Sequence, residues 1–244
     1  MTLHASVTGH GPLTIALTHG LAASEATWAA QVPAFAERHR VLTWDLRGHG
    51  RSAPNPQPCA IGDLAADLCR VLDEAGVERA VLLGHSAGGV VAMQFALEYP
   101  QRTAGLVLVG TASECNARAR QFYEELAALA ETRGMEPVYR RLGVGPDQAA
   151  QSPTDPATFA HVARAMADLN EHPLTPRLGE IGCPAQMIVG DKDFLGAGGS
   201  VILHRNIPGS RLAIVPDRGH GIFLEDPAGF NGLVLEFLAS LGPE

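Results

Sequence analysis

The chain has 244 residues, 46% hydrophobic and 18% charged, which is enough apolar material for one sizeable core and excludes a disordered or fibrous protein. Eighteen basic against twenty-six acidic side chains leave a net charge of −8, which repels phosphate backbones and anionic lipid surfaces and argues against nucleic-acid or membrane partners. Cys59, Cys69, Cys115 and Cys183 are widely spaced with no C-x-x-C pair, as expected of reduced, mostly buried thiols in a cytoplasmic protein.

The first seven residues offer neither a basic n-region nor an apolar h-region, and no apolar run approaches membrane-spanning length. Short apolar β-rich runs then appear at Leu13–Thr18, Val41–Trp44, Ala80–Leu83 and Leu106–Val109, nearly continuous as in strands covered on both faces. Helical stretches separate them. Ile61, Leu64, Leu68, Val71, Leu72 and Ala75 recur at three- and four-residue steps before the stop at Gly76, and Ala87–Tyr99 is apolar almost all round and ends before Pro100. From 112 to 182 no strand is expected. Amphipathic helices take over, near Arg118–Thr132 and after Asp155-Pro156, an N-cap followed by proline at the first helical position. The alternation resumes at Ala185–Val189, with a helix near Ser200–Asn206, a strand at Leu212–Val215 and a last helix over Pro227–Leu241. The pattern predicts an α/β core, residues 1–111 and 183–244, with a mostly parallel sheet flanked by helices and a small helical cap insertion at 112–182.

Gly84-His85-Ser86-Ala87-Gly88 lies directly after a strand and directly before a helix. A sharp strand-to-helix turn needs small residues on either side of the serine, and it holds the hydroxyl out above the strand ends, with the helix amides facing any oxyanion formed there. A serine hydroxyl needs a base, and the base needs an orienting acid. His220 follows the strand ending at Val215, and Asp193 follows the run ending at Val189; Asp191 and Glu114 compete for the acid role. Of the other histidines, His49 and His85 flank tight turns, where packing is the ordinary outcome. The backbone N–H groups of Leu21, just past the strand ending at Thr18, and of Ala87 are the candidate pair of oxyanion donors.

Taken in order, His19-Gly20, the stretch Asp45 to Ser52, the Ser86 pentapeptide, Gly190 with Asp193, and Gly219-His220 followed by Glu225-Asp226-Pro227 resemble the α/β-hydrolase superfamily essentially end to end. The resemblance implies the α/β-hydrolase fold and the chain order Ser, Asp, His. It places the acid three residues after Gly190, favouring Asp193, and gives the Asp45–Ser52 loop no catalytic part. Ser86 separates the chain from epoxide hydrolases and haloalkane dehalogenases, which carry an aspartate nucleophile. The modest cap, and Ala165–Leu169 ahead of Ile181–Pro184, are similar to the 3-oxoadipate enol-lactonase group and its esterase relatives. An anionic lactone would call for a positive group facing Ser86, and the sequence singles out none among Arg118, Arg120, Arg140, Arg141 and Arg164.

The expected function is a serine hydrolase that cleaves a carboxylic ester or lactone of a small, compact substrate through an acyl-enzyme. No metal or organic cofactor is implied, and the partner is a small-molecule substrate. Phe122, Leu126, Leu129, Phe159, Val162 and Met166, at helical spacing in the cap, are expected to roof the pocket, with Phe194 and Phe223 from the core loops. A C–C bond hydrolase, a perhydrolase or a slow-turnover ligand receptor of the same fold are the alternatives.

Overall fold

The computed structural model describes residues 2–242. In chain order the strands are β1 (Ala5–Thr8), β2 (Thr14–Thr18), β3 (Arg40–Trp44), β4 (Ala80–His85), β5 (Thr103–Val109), β6 (Ala185–Gly190) and β7 (Arg211–Val215). The helices are α1 (Gln31–Ala36), α2 (Ile61–Glu74), α3 (Ala87–Glu98), α4 (Ala117–Arg133), α5 (Met135–Leu142), α6 (Pro146–Gln151), α7 (Pro156–Ala167), α8 (Gly198–Asn206), α9 (Ile222–Glu225) and α10 (Pro227–Ser240). One seven-stranded sheet runs in the order β1-β3-β2-β4-β5-β6-β7. All neighbours are parallel except β1, which pairs antiparallel with β3 in the register Ala5↔Trp44 to Thr8↔Val41.

Alternation along the strands splits the core into two layers. Ile15, Leu17, Val81, Leu83, Val107 and Val109 point to the side closed by Phe35 of α1 and Phe230, Val234 and Phe237 of α10. Ala16, Leu42, Trp44, Leu82, Leu106 and Leu108 point to the opposite side, where Leu64, Leu68, Leu72, Val91 and Phe95 of α2 and α3 pack. Full burial of a large apolar side chain contributes about 1.5–3 kcal/mol, so these two layers hold the sheet edge that carries the loops described below. After β2 the chain moves outward to β3, then returns to β4 on the other side. This reversal opens a crevice between the carboxyl ends of β2 and β4, where ligands of open α/β sheets bind.

β1 carries no apolar run that could have announced it; it is a short, largely exposed edge strand whose sequence is Ala-Ser-Val-Thr. Nor does the apolar pattern mark the short helices α1, α5, α6 and α9, which are shorter than the window of about 11 residues over which helical periodicity can be read. The four cysteines are half-buried rather than mostly buried, and burial lifts the thiols of Cys59 and Cys183 to about 11. Among the described residues no helix is long and apolar enough to cross a membrane.

Candidate active site

Ser86 sits at the crevice in a conformation that side chains rarely adopt, φ 53° and ψ −118°. Its surroundings fix it there. The Ser86 N–H donates to Val109 O at 2.9 Å, and the Ser86 carbonyl accepts from Thr111 Oγ1 at 2.7 Å and from the Gly89 N–H at 2.9 Å. Such backbone strain costs on the order of 1–3 kcal/mol and persists only where the neighbours over-determine it. The flanking glycines are required by space. A Cβ on Gly84 would lie 2.2 Å from the Gly88 oxygen, and one on Gly88 would lie 2.2 Å from the Thr18 oxygen. Ala87 opens α3, so its N–H has no acceptor within the helix. Among the described residues the N–H of Leu21, in the turn after β2, makes none of the backbone bonds that hold the neighbouring turns.

His220 Nδ1 and Asp193 Oδ2 are 2.9 Å apart. A carboxylate only accepts, so the imidazole proton sits on Nδ1 and the Nε2 lone pair is left for another partner. Asp193 is almost fully buried; its second oxygen accepts the Leu195 N–H at 2.8 Å. Gly110, at φ +51°, leaves the room this pair needs, because a Cβ there would come within 3.1 Å of both Asp193 Oδ2 and His220 Nδ1. The competing acids point elsewhere. Asp191 is exposed beside Lys192, and Glu114 is exposed and accepts from the Thr175 hydroxyl.

Ser86, His220 and Leu21 line one cavity of about 550 Å3, together with Gly20, His85 and Phe223 on the core side and Phe122, Val144 and Gln151 on the side of the helical segment. The arrangement sets a hydroxyl, an imidazole anchored at Nδ1 by a carboxylate, and the Leu21 amide around one volume, with the Ala87 amide next to Ser86 at the start of α3. That set can attack a carbonyl and hold the resulting oxyanion.

The family model described as "alpha/beta hydrolase fold" matches residues 14–133. A protein of Variovorax paradoxus (strain S110) named "Putative carbamate hydrolase RutD" is 32% identical over 98% of this chain and 97% of its own length. The chain belongs to the α/β-hydrolase superfamily. Among solved structures, this hydrolase is similar to a thermophilic esterase from Thermogutta terrifontis, with 27% identity, a TM-score of 0.88, and coverage of 98% of this chain and 93% of that one. It is also similar to the enol-lactonase from Burkholderia xenovorans LB400, with 26% identity, a TM-score of 0.85, and coverage of 97% and 96%.

The hydrolase brings Phe122, Phe194 and Phe223 to the cavity wall but not Leu126, Phe159 or Met166. Leu126 of α4 and Phe159 of α7 face each other's helices and form a separate apolar cluster with Val138 and Ala163. Met166 turns the other way, into the core layer shared with α2 and α3. Leu129 and Val162 follow the same two patterns. Apart from Phe122 the apolar stripes therefore join helix to helix and helix to core, and the rest of the roof comes from Tyr123, from Leu142–Val144 at the end of α5, and from Gln148, Gln151 and Ser152.

The sequence marks His85 as a packed turn residue, and the structure gives it further contacts. Its Nε2 donates to the His220 carbonyl at 3.1 Å; its ring lies 4.5 Å from the His220 ring and 4.8 Å from that of Phe223. Burial, then the neighbouring His220 charge, holds His85 well below the usual histidine range, so the ring stays neutral. Its only sequence signal is its place immediately before Ser86. The Asp45–Ser52 loop is anchored by the Asp45 carboxylate, which accepts the Glu25 and Arg51 N–H groups at 2.7 and 2.8 Å.

Proposed function

We propose that the protein is a serine hydrolase that cleaves a compact carboxylic ester or lactone through an acyl-enzyme. The observation that carries this reading is the His220–Asp193 hydrogen bond opening onto the cavity wall that also holds the strained Ser86. Ser86 Oγ attacks the carbonyl carbon while His220 Nε2 accepts its proton. The amides of Leu21 and Ala87 stabilise the oxyanion, and the imidazolium, oriented by Asp193, returns the proton to the departing alkoxide. Water then repeats the sequence on the acyl-enzyme, with His220 as base, and frees the acid.

The name of the Variovorax relative favours a second reading within the same chemistry, since a carbamate presents an acyl carbonyl to the same serine. The experiment is a panel of chromogenic esters of graded acyl length, with lactones, carbamate esters and thioesters, on the purified protein. A cavity of about 550 Å3 suits short or compact acyl groups, so turnover should peak there. A preference for acyl chains of about twelve carbons or more contradicts the size argument. Turnover of a vinylogous diketone with no simple ester hydrolysed contradicts the bond type.

A further inference from the structure

We infer that the cavity selects uncharged acyl substrates over anionic ones, and that Glu225 is the wall residue that sharpens the choice. The inference rests on the serine-hydrolase reading for the position of the reacting carbonyl. Among the described residues, Glu225 is the only aspartate, glutamate, lysine or arginine in the wall. One of its oxygens accepts the Gly219 N–H at 2.8 Å, which holds the carboxylate beside the loop that carries His220. A second carboxylate, Asp193, stands behind the His220 ring.

No arginine of the helical segment supplies an opposing charge in the wall. Arg120 pairs with Glu171 at 2.6 Å, Arg140 with Glu136 at 2.7 Å and Arg164 with Glu131 at 2.6 Å, all on the outer surface. Arg141 lies 4.7 Å over the Phe122 ring, outside the cavity that Phe122 lines, and Arg118 is exposed and outside the wall. Arg218, near the base of the His220 loop, is turned to Asp226 at 3.4 Å. The polar side chains that line the cavity from the helical segment, Tyr123, Gln148, Gln151 and Ser152, carry no formal charge. An anionic substrate entering this volume gives up water, finds no lysine or arginine in the wall among the described residues and meets Glu225, whereas an uncharged ester or lactone keeps hydrogen-bonding partners and meets no repulsion.

The test uses three 4-nitrophenyl esters of matched length: the pentanoate, the half-ester of glutaric acid, and the 4-(trimethylammonio)butanoate. kcat/KM for the glutarate half-ester should fall roughly tenfold or more below that of the pentanoate at low salt, with the cationic ester not penalised. Glu225→Gln keeps an oxygen for the Gly219 N–H and removes the charge, so it should narrow the gap by roughly threefold or more. A glutarate half-ester turned over as fast as the pentanoate overturns the inference and leaves the esterase reading standing. An unchanged gap in Glu225→Gln overturns the assignment to that residue. Binding of the same esters to Ser86→Ala, followed by calorimetry, reads the charge preference without catalysis. If none of the esters is hydrolysed but the pentanoate binds better than the half-ester, the esterase reading fails and the charge selection holds; equal binding removes the charge selection as well.

Discussion

His19 beside Asp45 and His220 beside Asp193 are built from the same two residue types at the same edge of the sheet, and their surroundings differ at each point that governs proton transfer. The His19 ring is fully buried, and both nitrogens are engaged: Nδ1 donates to Gly20 O at 2.7 Å, and Nε2 accepts the Leu46 N–H at 3.1 Å. Its distance to Asp45 is 3.8 Å, too long for a hydrogen bond, and Asp45 is occupied by backbone amides. Burial drives the His19 pKa down to about 4. His220 instead contacts its carboxylate at 2.9 Å, is 18% exposed, and faces the cavity with a nitrogen to spare. A histidine and an aspartate side by side thus make a structural clamp in one place and the candidate base in the other. The difference lies in which ring nitrogen the backbone has already claimed.

The largest effect should come from breaking the open pair. His220→Ala and Ser86→Ala are each expected to lower kcat by about ten-thousandfold or more, with the circular dichroism spectrum unchanged. A rate within tenfold of the parent for either variant rejects the roles given to them. Next is the acid. Asp193→Asn keeps the shape but favours the wrong imidazole tautomer and should cost roughly a thousandfold to ten-thousandfold in kcat, on the precedent of the serine-protease triad. Asp191→Asn should stay within about twofold; the reverse ranking would move the acid to Asp191.

The closed pair should answer to pH through stability rather than rate. An unfolded histidine titrates near 6.5 and the buried His19 ring near 4, so between those values the unfolded chain binds more protons than the folded one. Unfolding free energy should therefore fall as pH drops through this window, by roughly 3 kcal/mol from this ring. His49, held at about 3 chiefly by burial, acts in the same direction. Urea unfolding of the parent and of His19→Gln at several pH values should show a shallower slope for the variant; equal slopes would mean that His19 is not the group concerned.

The smallest effect separates wall from interior within the helical segment. Phe122→Ala should raise KM about three- to tenfold for a short ester, while Phe159→Leu, whose ring packs between helices, should leave KM unchanged and lower stability by about 1 kcal/mol. A raised KM in Phe159→Leu would return that residue to the substrate pocket.

The six parallel strands are legible in the sequence because each is a short apolar run, buried along nearly its whole length in all but the edge strand β7, and the loops that follow them carry Leu21, Ser86, Asp193 and His220. β1 is not, because an exposed edge strand needs no apolar code. Helical spacing marks Leu126, Phe159 and Met166 as buried, and they are. It does not say which neighbour a stripe faces, and here the neighbours are other helices and the core. His85 shows the same limit from the other side. Its contact with the His220 carbonyl joins positions 135 residues apart, and only the assembled sheet brings them together.

The central claim is that Ser86 is the group acylated, and covalent labelling tests it most directly. Treatment with a serine-directed organophosphate, followed by intact-mass and peptide mass spectrometry, should add one equivalent, located on the peptide that contains Ser86. The adduct should be absent in Ser86→Ala and form far more slowly in His220→Ala. Labelling at another residue, or ester turnover that persists while Ser86 stays unmodified, would contradict the account.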